Sequence, residues 1–142
     1  MSITTSFMDE ARLDPVILGQ LAIDTGSELL PELLALFIAD LESRLTTILD
    51  LKARDRDWWL AHLHSLKGSC VTYGAMRLSR LAVVLEQQLN STKVNDSVGV
   101  EDSNEVKPSL EIRVIDELIL ELKLTSKAYQ DQLSAIKAAA CI

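Results

Sequence analysis

Apolar residues recur at helical spacing in four long stretches of this chain. In one of them Trp59, Leu63, Leu66 and Cys70 stand at i, i+4, i+7 and i+11, which makes one buried stripe of an amphipathic helix. The stretch before it carries Leu30, Leu33, Leu34, Phe37, Leu41, Leu45, Ile48 and Leu49, and the stretch after it Leu78, Leu81, Ala82, Leu85 and Leu89. A last helix, from about Leu110 to Ala139, shows Ile115, Leu118, Ile119, Leu122, Tyr129, Leu133 and Ile136. Ahead of these four, Asp14-Pro15 reads as an N-cap followed by proline at the first helical position. That shorter helix continues through Ile17, Leu18, Leu21 and Ala22 to Gly26. Ser27 is placed to cap the second helix, with Pro31 close enough to its start to be tolerated. Asp57 is placed to cap the third, and Gly74 to end it.

Four amphipathic segments with polar links predict an all-α fold, an antiparallel four-helix bundle with the short N-terminal helix packed across one end. The short Gly74 connection makes the third and fourth helices antiparallel neighbours. Residues 1–12 read as a flexible lead-in. Residues 90–109, rich in Ser, Thr, Asn, Asp, Gly and Pro, read as a mobile loop before the last helix. The whole of 1–142 reads as one domain, long enough to bury a real core.

Composition narrows the class. Apolar residues make up 48% and charged ones 25%, a globular balance rather than a disordered one. Aromatics at 4% and three prolines favour helices over sheets. The net charge of −7 argues against a nucleic-acid partner bound through phosphates. No apolar run reaches 18 residues and the N-terminus has no basic, apolar leader pattern, so neither a membrane span nor a signal peptide is expected and the cytoplasm is the default. Cys70 and Cys141 make no disulfide framework and have no metal-ligand spacing. A monomer is the expected state.

The chemistry concentrates on His64. At 100° per residue it points roughly 130° away from the centre of the stripe, and Lys67 and Gly68 follow at i+3 and i+4 as surface neighbours. A mid-helix glycine costs about 0.5–1 kcal/mol relative to alanine, and the turn pattern requires none here. Access is a reason to keep it: with no Cβ at position 68 another molecule can come close to the imidazole, while Lys67 adds positive charge. The set suits a histidine that takes up an anionic group, phosphoryl above all; spacing alone equally allows a solvated face. His62 lies roughly 200° from His64 on the helix, so the two cannot share a metal ion, and it reads as a partly buried structural residue. Trp59 fits the stripe and Trp58 an edge. Ser69 has no converging acid and second histidine. Neither G-x-x-x-x-G-K-S/T nor G-x-G-x-x-G occurs, so no nucleotide site is expected.

His64-Ser65-Leu66-Lys67-Gly68-Ser69, followed by Gly74-Ala75, Leu78, Leu81 and Leu85-Glu86, resembles the histidine phosphotransfer (HPt) domain of multistep phosphorelays. The run from Leu33 to Asp40, with Leu13-Asp14 before it, also resembles that family's first long helix. The likeness covers roughly residues 13–90; the last helix agrees only in general character, and the 90–109 loop is longer than the family's usual link. It implies a phosphocarrier rather than an enzyme: His64 receives a phosphoryl group on Nε2 from a receiver-domain aspartate and passes it to another. Neutral imidazole, with an ordinary pKa of about 6.5, is a good nucleophile near pH 7. Lys67 would stabilise the transferring oxygens and Gly68 leave room for the partner. The chain would need no cofactor of its own, Mg²⁺ being expected on the partner. The implied partners are receiver domains of hybrid sensor histidine kinases and response regulators. They would dock on the solvent side of the histidine helix, with Val71, Asp40, Ser43 and Arg44 as contacts. A helical adaptor that binds receivers without carrying phosphate is the alternative; the intact His64-Lys67-Gly68 set argues against it.

Overall fold

The computed structural model describes residues 9–50, 55–96 and 112–140. These form five helices, α1 (Pro15–Thr25), α2 (Leu30–Asp50), α3 (Arg56–Tyr73), α4 (Met76–Asp96) and α5 (Ile112–Ala140), with no strand among the described residues. α3 packs chiefly on α4 and α2 chiefly on α5; the two antiparallel pairs close into a four-helix bundle. α1 lies against α2 and α3 at the end where α3 turns into α4, as its apolar character and the Asp14-Pro15 start required.

The ends of the helices follow from single residues. Asp14 caps α1 through Oδ1, which accepts from the Val16 N–H at 2.9 Å. Gly26 closes it at φ 96°, its N–H donating to the Ala22 carbonyl. Gly74 ends α3 in the left-handed region at φ 87°, with its N–H on the Cys70 carbonyl. Two expected caps are displaced. Asp55, not Asp57, caps α3, with Oδ1 accepting from the Trp58 N–H at 3.0 Å; Asp57 becomes an acid of the first turn, where the helix dipole favours it. Ser27 sits in a turn, and α2 begins at Leu30.

The core joins both pairs. Leu34, Phe37, Leu41, Leu63, Leu66, Leu78, Leu81, Leu85, Leu118, Leu122 and Tyr129 are fully buried. The Phe37 ring stacks on Tyr73 and meets Tyr129 edge-on, and the Tyr129 hydroxyl donates to the Tyr73 carbonyl at 2.8 Å. Burial pushes the Tyr129 phenol above its ordinary range. Along α2 the stripe is rotated relative to expectation: Ile38 is buried and Leu49 is exposed. Asn90–Asp96, expected to begin the loop, belongs to α4, while 97–109 lies outside the described residues.

Residues 1–8 of the expected lead-in lie outside the described residues, while its last residues are tied down. The Arg77 backbone N–H donates to the Ala11 carbonyl, and its Nε to the Glu10 carbonyl. The Asp14 N–H donates to the Gly74 carbonyl. Arg12 reaches Glu121 of α5 with both Nε (2.7 Å) and Nη2 (3.2 Å); Glu121 is buried and also accepts from the Thr125 hydroxyl. Removing one partner of such a pair leaves a desolvated charge. Arg12→Ala should therefore lower the free energy of unfolding in urea by about 2 kcal/mol, below the full buried-pair cost because the arginine is partly exposed. Arg12→Ala combined with Glu121→Leu should recover most of that loss; equal losses in the single and double variants would contradict the account.

Candidate functional site

The stripe of α3 decides which way its chemistry points. Trp59, Leu63, Leu66 and Cys70 are all buried, which turns His64 outward with 75% of its side chain exposed. Its neighbours come from two helices. Glu86, one position beyond the buried Leu85 of α4, faces α3 with only 16% of its side chain exposed. One carboxylate oxygen, Oε1, accepts from Lys67 Nζ at 3.2 Å, and the other, Oε2, lies 3.7 Å from His64 Nδ1. That second distance is too long for a hydrogen bond, but it directs the Nδ1 edge of the ring toward negative charge. The ring as a whole stays open to solvent. One largely covered carboxylate thus binds the ammonium and lies beside the imidazole.

Gly68 has nothing within 4 Å of where a Cβ would stand. No internal packing requires it, and a side chain there would stand in open space one turn from His64 on the same side of α3. Gly74 is the opposite case: a Cβ would meet the Asp14 carbonyl oxygen at 3.0 Å and Ile17 at 3.2 Å, on a left-handed backbone.

The docking residues expected from the sequence divide. Val71 is 48% exposed, Ser43 is exposed, and Asp40 has 39% of its side chain exposed. Arg44, by contrast, keeps only 11% of its side chain exposed. Its Nε donates to Asp40 Oδ2 at 2.9 Å and its Nη2 to Ser65 Oγ at 3.0 Å. Its side chain is largely covered and committed to these two bonds. A shallow groove between α1 and α3, lined by Val16, Ile17, Gln20, Leu21, Asp24 and Thr72, continues the exposed side of α3 past Val71.

His62 points away from His64, as spacing required. Its ring stacks on Trp58 at 4.8 Å between centroids. Burial, aided by the charge of Arg44, lowers its pKa to about 4, so it is neutral near pH 7. Burial likewise raises the Cys70 thiol to about 12, which keeps it from acting as a thiolate. Among the described residues no three His, Cys, Asp or Glu side chains stand together to hold a metal ion, and no helix is long and apolar enough to cross a membrane.

Comparison with known proteins bears on the family of this bundle. The chain is similar to the phosphorelay protein LuxU of Vibrio harveyi, 27% identical over 85 residues that make up 59% of this chain and 74% of that one. No solved structure gives a match. The family model described as Hpt domain matches residues 32–139, from the first turn of α2 to the end of α5. A match over so much of the bundle, with an outward histidine on its third helix, settles the family: the chain belongs to the Hpt domain family.

Proposed function

We propose that this chain relays a phosphoryl group in a phosphorelay, with His64 as its carrier between receiver-domain aspartates. Hpt domains are phosphocarriers rather than classical enzymes, and the chemistry falls to a few side chains. The observation that carries the assignment is the Glu86 carboxylate between His64 Nδ1 and Lys67 Nζ. With its proton on Nδ1, the ring offers the Nε2 lone pair to the phosphorus of an aspartyl phosphate. As the N–P bond forms, the P–O bond to the donor aspartate breaks and the carboxylate leaves. The product ring, phosphorylated at Nε2 and still protonated at Nδ1, carries positive charge, and Glu86 stands where that charge develops. Lys67, one turn along, offsets negative charge on the phosphoryl oxygens. The reverse sequence returns the group to a second aspartate. Mg²⁺ would be held by the receiver, where it neutralises charge on the phosphoryl group.

The receiver would land on the exposed side of α3 around His64, Gly68 and Val71. Asp40 and Ser43 of α2 would border the footprint, with the relay operating in the cytoplasm on a monomeric chain. Apolar contact would come from Val71 and, across the α1–α3 groove, from Val16, which is 78% exposed.

Glu86→Gln separates this mechanism from a bare exposed histidine. The variant keeps the shape but loses the charge that orients the ring and balances the product. Phosphorylation by a receiver charged with acetyl phosphate and Mg²⁺, followed by intact mass, should slow by about tenfold. That is less than the ~10⁴-fold lost when the buried carboxylate of a catalytic triad is replaced, because here the contact is longer and His64 is exposed. A rate equal to the parent's would remove Glu86 from the mechanism.

A further inference from the structure

We infer that Arg44 is a positioning residue, which acts through Ser65 to fix the histidine-bearing turn of α3 against α2 rather than touching the partner or the phosphoryl group. The two seams beside His64 are built differently. On the α4 side, α3 is packed closely, and Glu86 and Lys67 span the seam. On the α2 side the helices share far less contact, and a hydrogen bond from Arg44 Nη2 to Ser65 Oγ crosses it at 3.0 Å. Ser65 is the residue next to His64, so this bond holds the same turn of α3 that carries the imidazole.

The arginine is itself fixed. Its Nε is engaged by Asp40 one turn earlier on α2, and its side chain is almost wholly covered. A guanidinium has its donors in a rigid fork, so a single side chain sets the distance from Asp40 on α2 to Ser65 on α3. Both flanks of a receiver footprint, the exposed Asp40 and Ser43 on one side and His64, Gly68 and Val71 on the other, are thereby held in register. Without that bond the sparsely packed seam can shift, and the two flanks then meet a receiver out of register. Because the effect is on how two docking elements meet, it should fall on recognition of the receiver more than on the N–P bond-forming step.

The test compares Arg44→Ala, Ser65→Ala and the double variant, with the phosphorylated receiver varied in concentration. Since this role rests on His64 being the phosphoryl carrier, the wild-type chain comes first. Wild type that takes up no phosphoryl group overturns that assignment, and with it the role of Arg44. With an active wild type, both single variants should raise the KM for the receiver about fivefold while kcat stays within about twofold. Ser65→Ala leaves the arginine charge in place, so its effect should match that of Arg44→Ala, and the double variant should be no worse than either single. Wild-type KM in both singles overturns the inference. So does an effect of Arg44→Ala without one of Ser65→Ala, which would assign the arginine's influence to charge, and so do effects that multiply in the double variant. Thermal melting of the three variants accompanies the kinetics; a purely structural part for Arg44 would lower melting and leave the KM at the assay temperature untouched.

Discussion

His64→Gln is expected to abolish acid-labile, base-stable phosphorylation of the chain while leaving its helicity and melting nearly unchanged. The two halves of that result have separate causes. The imidazole is three-quarters exposed, its contact with Glu86 is too long for a hydrogen bond, and exposed helix positions away from caps and core tolerate substitution within about 0.5 kcal/mol. Its chemistry has no substitute nearby. His62, the chain's other histidine, is neutral near pH 7 but half covered, stacked on Trp58 and turned to another side of α3. Cys70 is fully buried with its thiol pushed up to about 12. His62→Gln should therefore keep full labelling. Label that survives in His64→Gln, or that disappears in His62→Gln, would place the phosphoryl group elsewhere.

The second large effect concerns two glycines with opposite reasons for existing. Gly68→Gln should slow transfer from a phosphorylated receiver at least about tenfold, since the new side chain stands where the partner must approach and sub-ångström alignment governs such reactions. Stability should hold or rise by several tenths of a kcal/mol, because glutamine is the better helix former and a Cβ at this position meets nothing. Gly74→Ala should do the reverse. Its left-handed φ of 87° costs an L-residue about 1–2 kcal/mol, and its Cβ would press on the Asp14 carbonyl oxygen at 3.0 Å. Melting should fall, while at temperatures where the chain stays folded transfer should remain close to parental. Urea unfolding and transfer kinetics on both variants give the cross-comparison. A Gly68→Gln chain that transfers normally would mean that the partner does not come in over α3 at this point.

Much of this arrangement could be read along the chain, because the strongest signals were periodic or conformational. The stripe of α3 turned His64 outward, and the i+3 and i+4 spacing put Lys67 and Gly68 beside it. Asp14-Pro15, Gly26 and Gly74 marked ends of helices because each performs a backbone task that few residues can. What escaped depended on contacts between helices. Glu86 is placed by its position next to Leu85 of α4, yet no spacing within α3 could show that its carboxylate spans His64 and Lys67. Arg44 is polar on a flank of α2, so pattern alone sets it among surface residues; only the positions of Asp40 and Ser65 show that its guanidinium is engaged within the chain. Glu121 and Thr125 fall on the buried side of α5 although they are polar, and their partner Arg12 comes from a lead-in whose composition suggested fraying. Asp55 and Asp57 both satisfied the preference for an acid at the start of α3, and the choice between them lay in backbone geometry. The polar stretch after Leu89 continued as helix through Asp96, where weak periodicity gave no signal.

On the proposed relay, Nε2 of His64 carries the phosphoryl group while Glu86 faces Nδ1. The most direct measurement charges the wild-type chain from a phosphorylated receiver and reads the histidine ring by nitrogen–phosphorus NMR correlation, with peptide mapping to fix the residue. A single phosphoryl group on His64, with phosphorus coupled to Nε2 and a proton retained on Nδ1, is the predicted result. Phosphorus coupled to Nδ1, or a phosphoryl group found on any other residue, would contradict it.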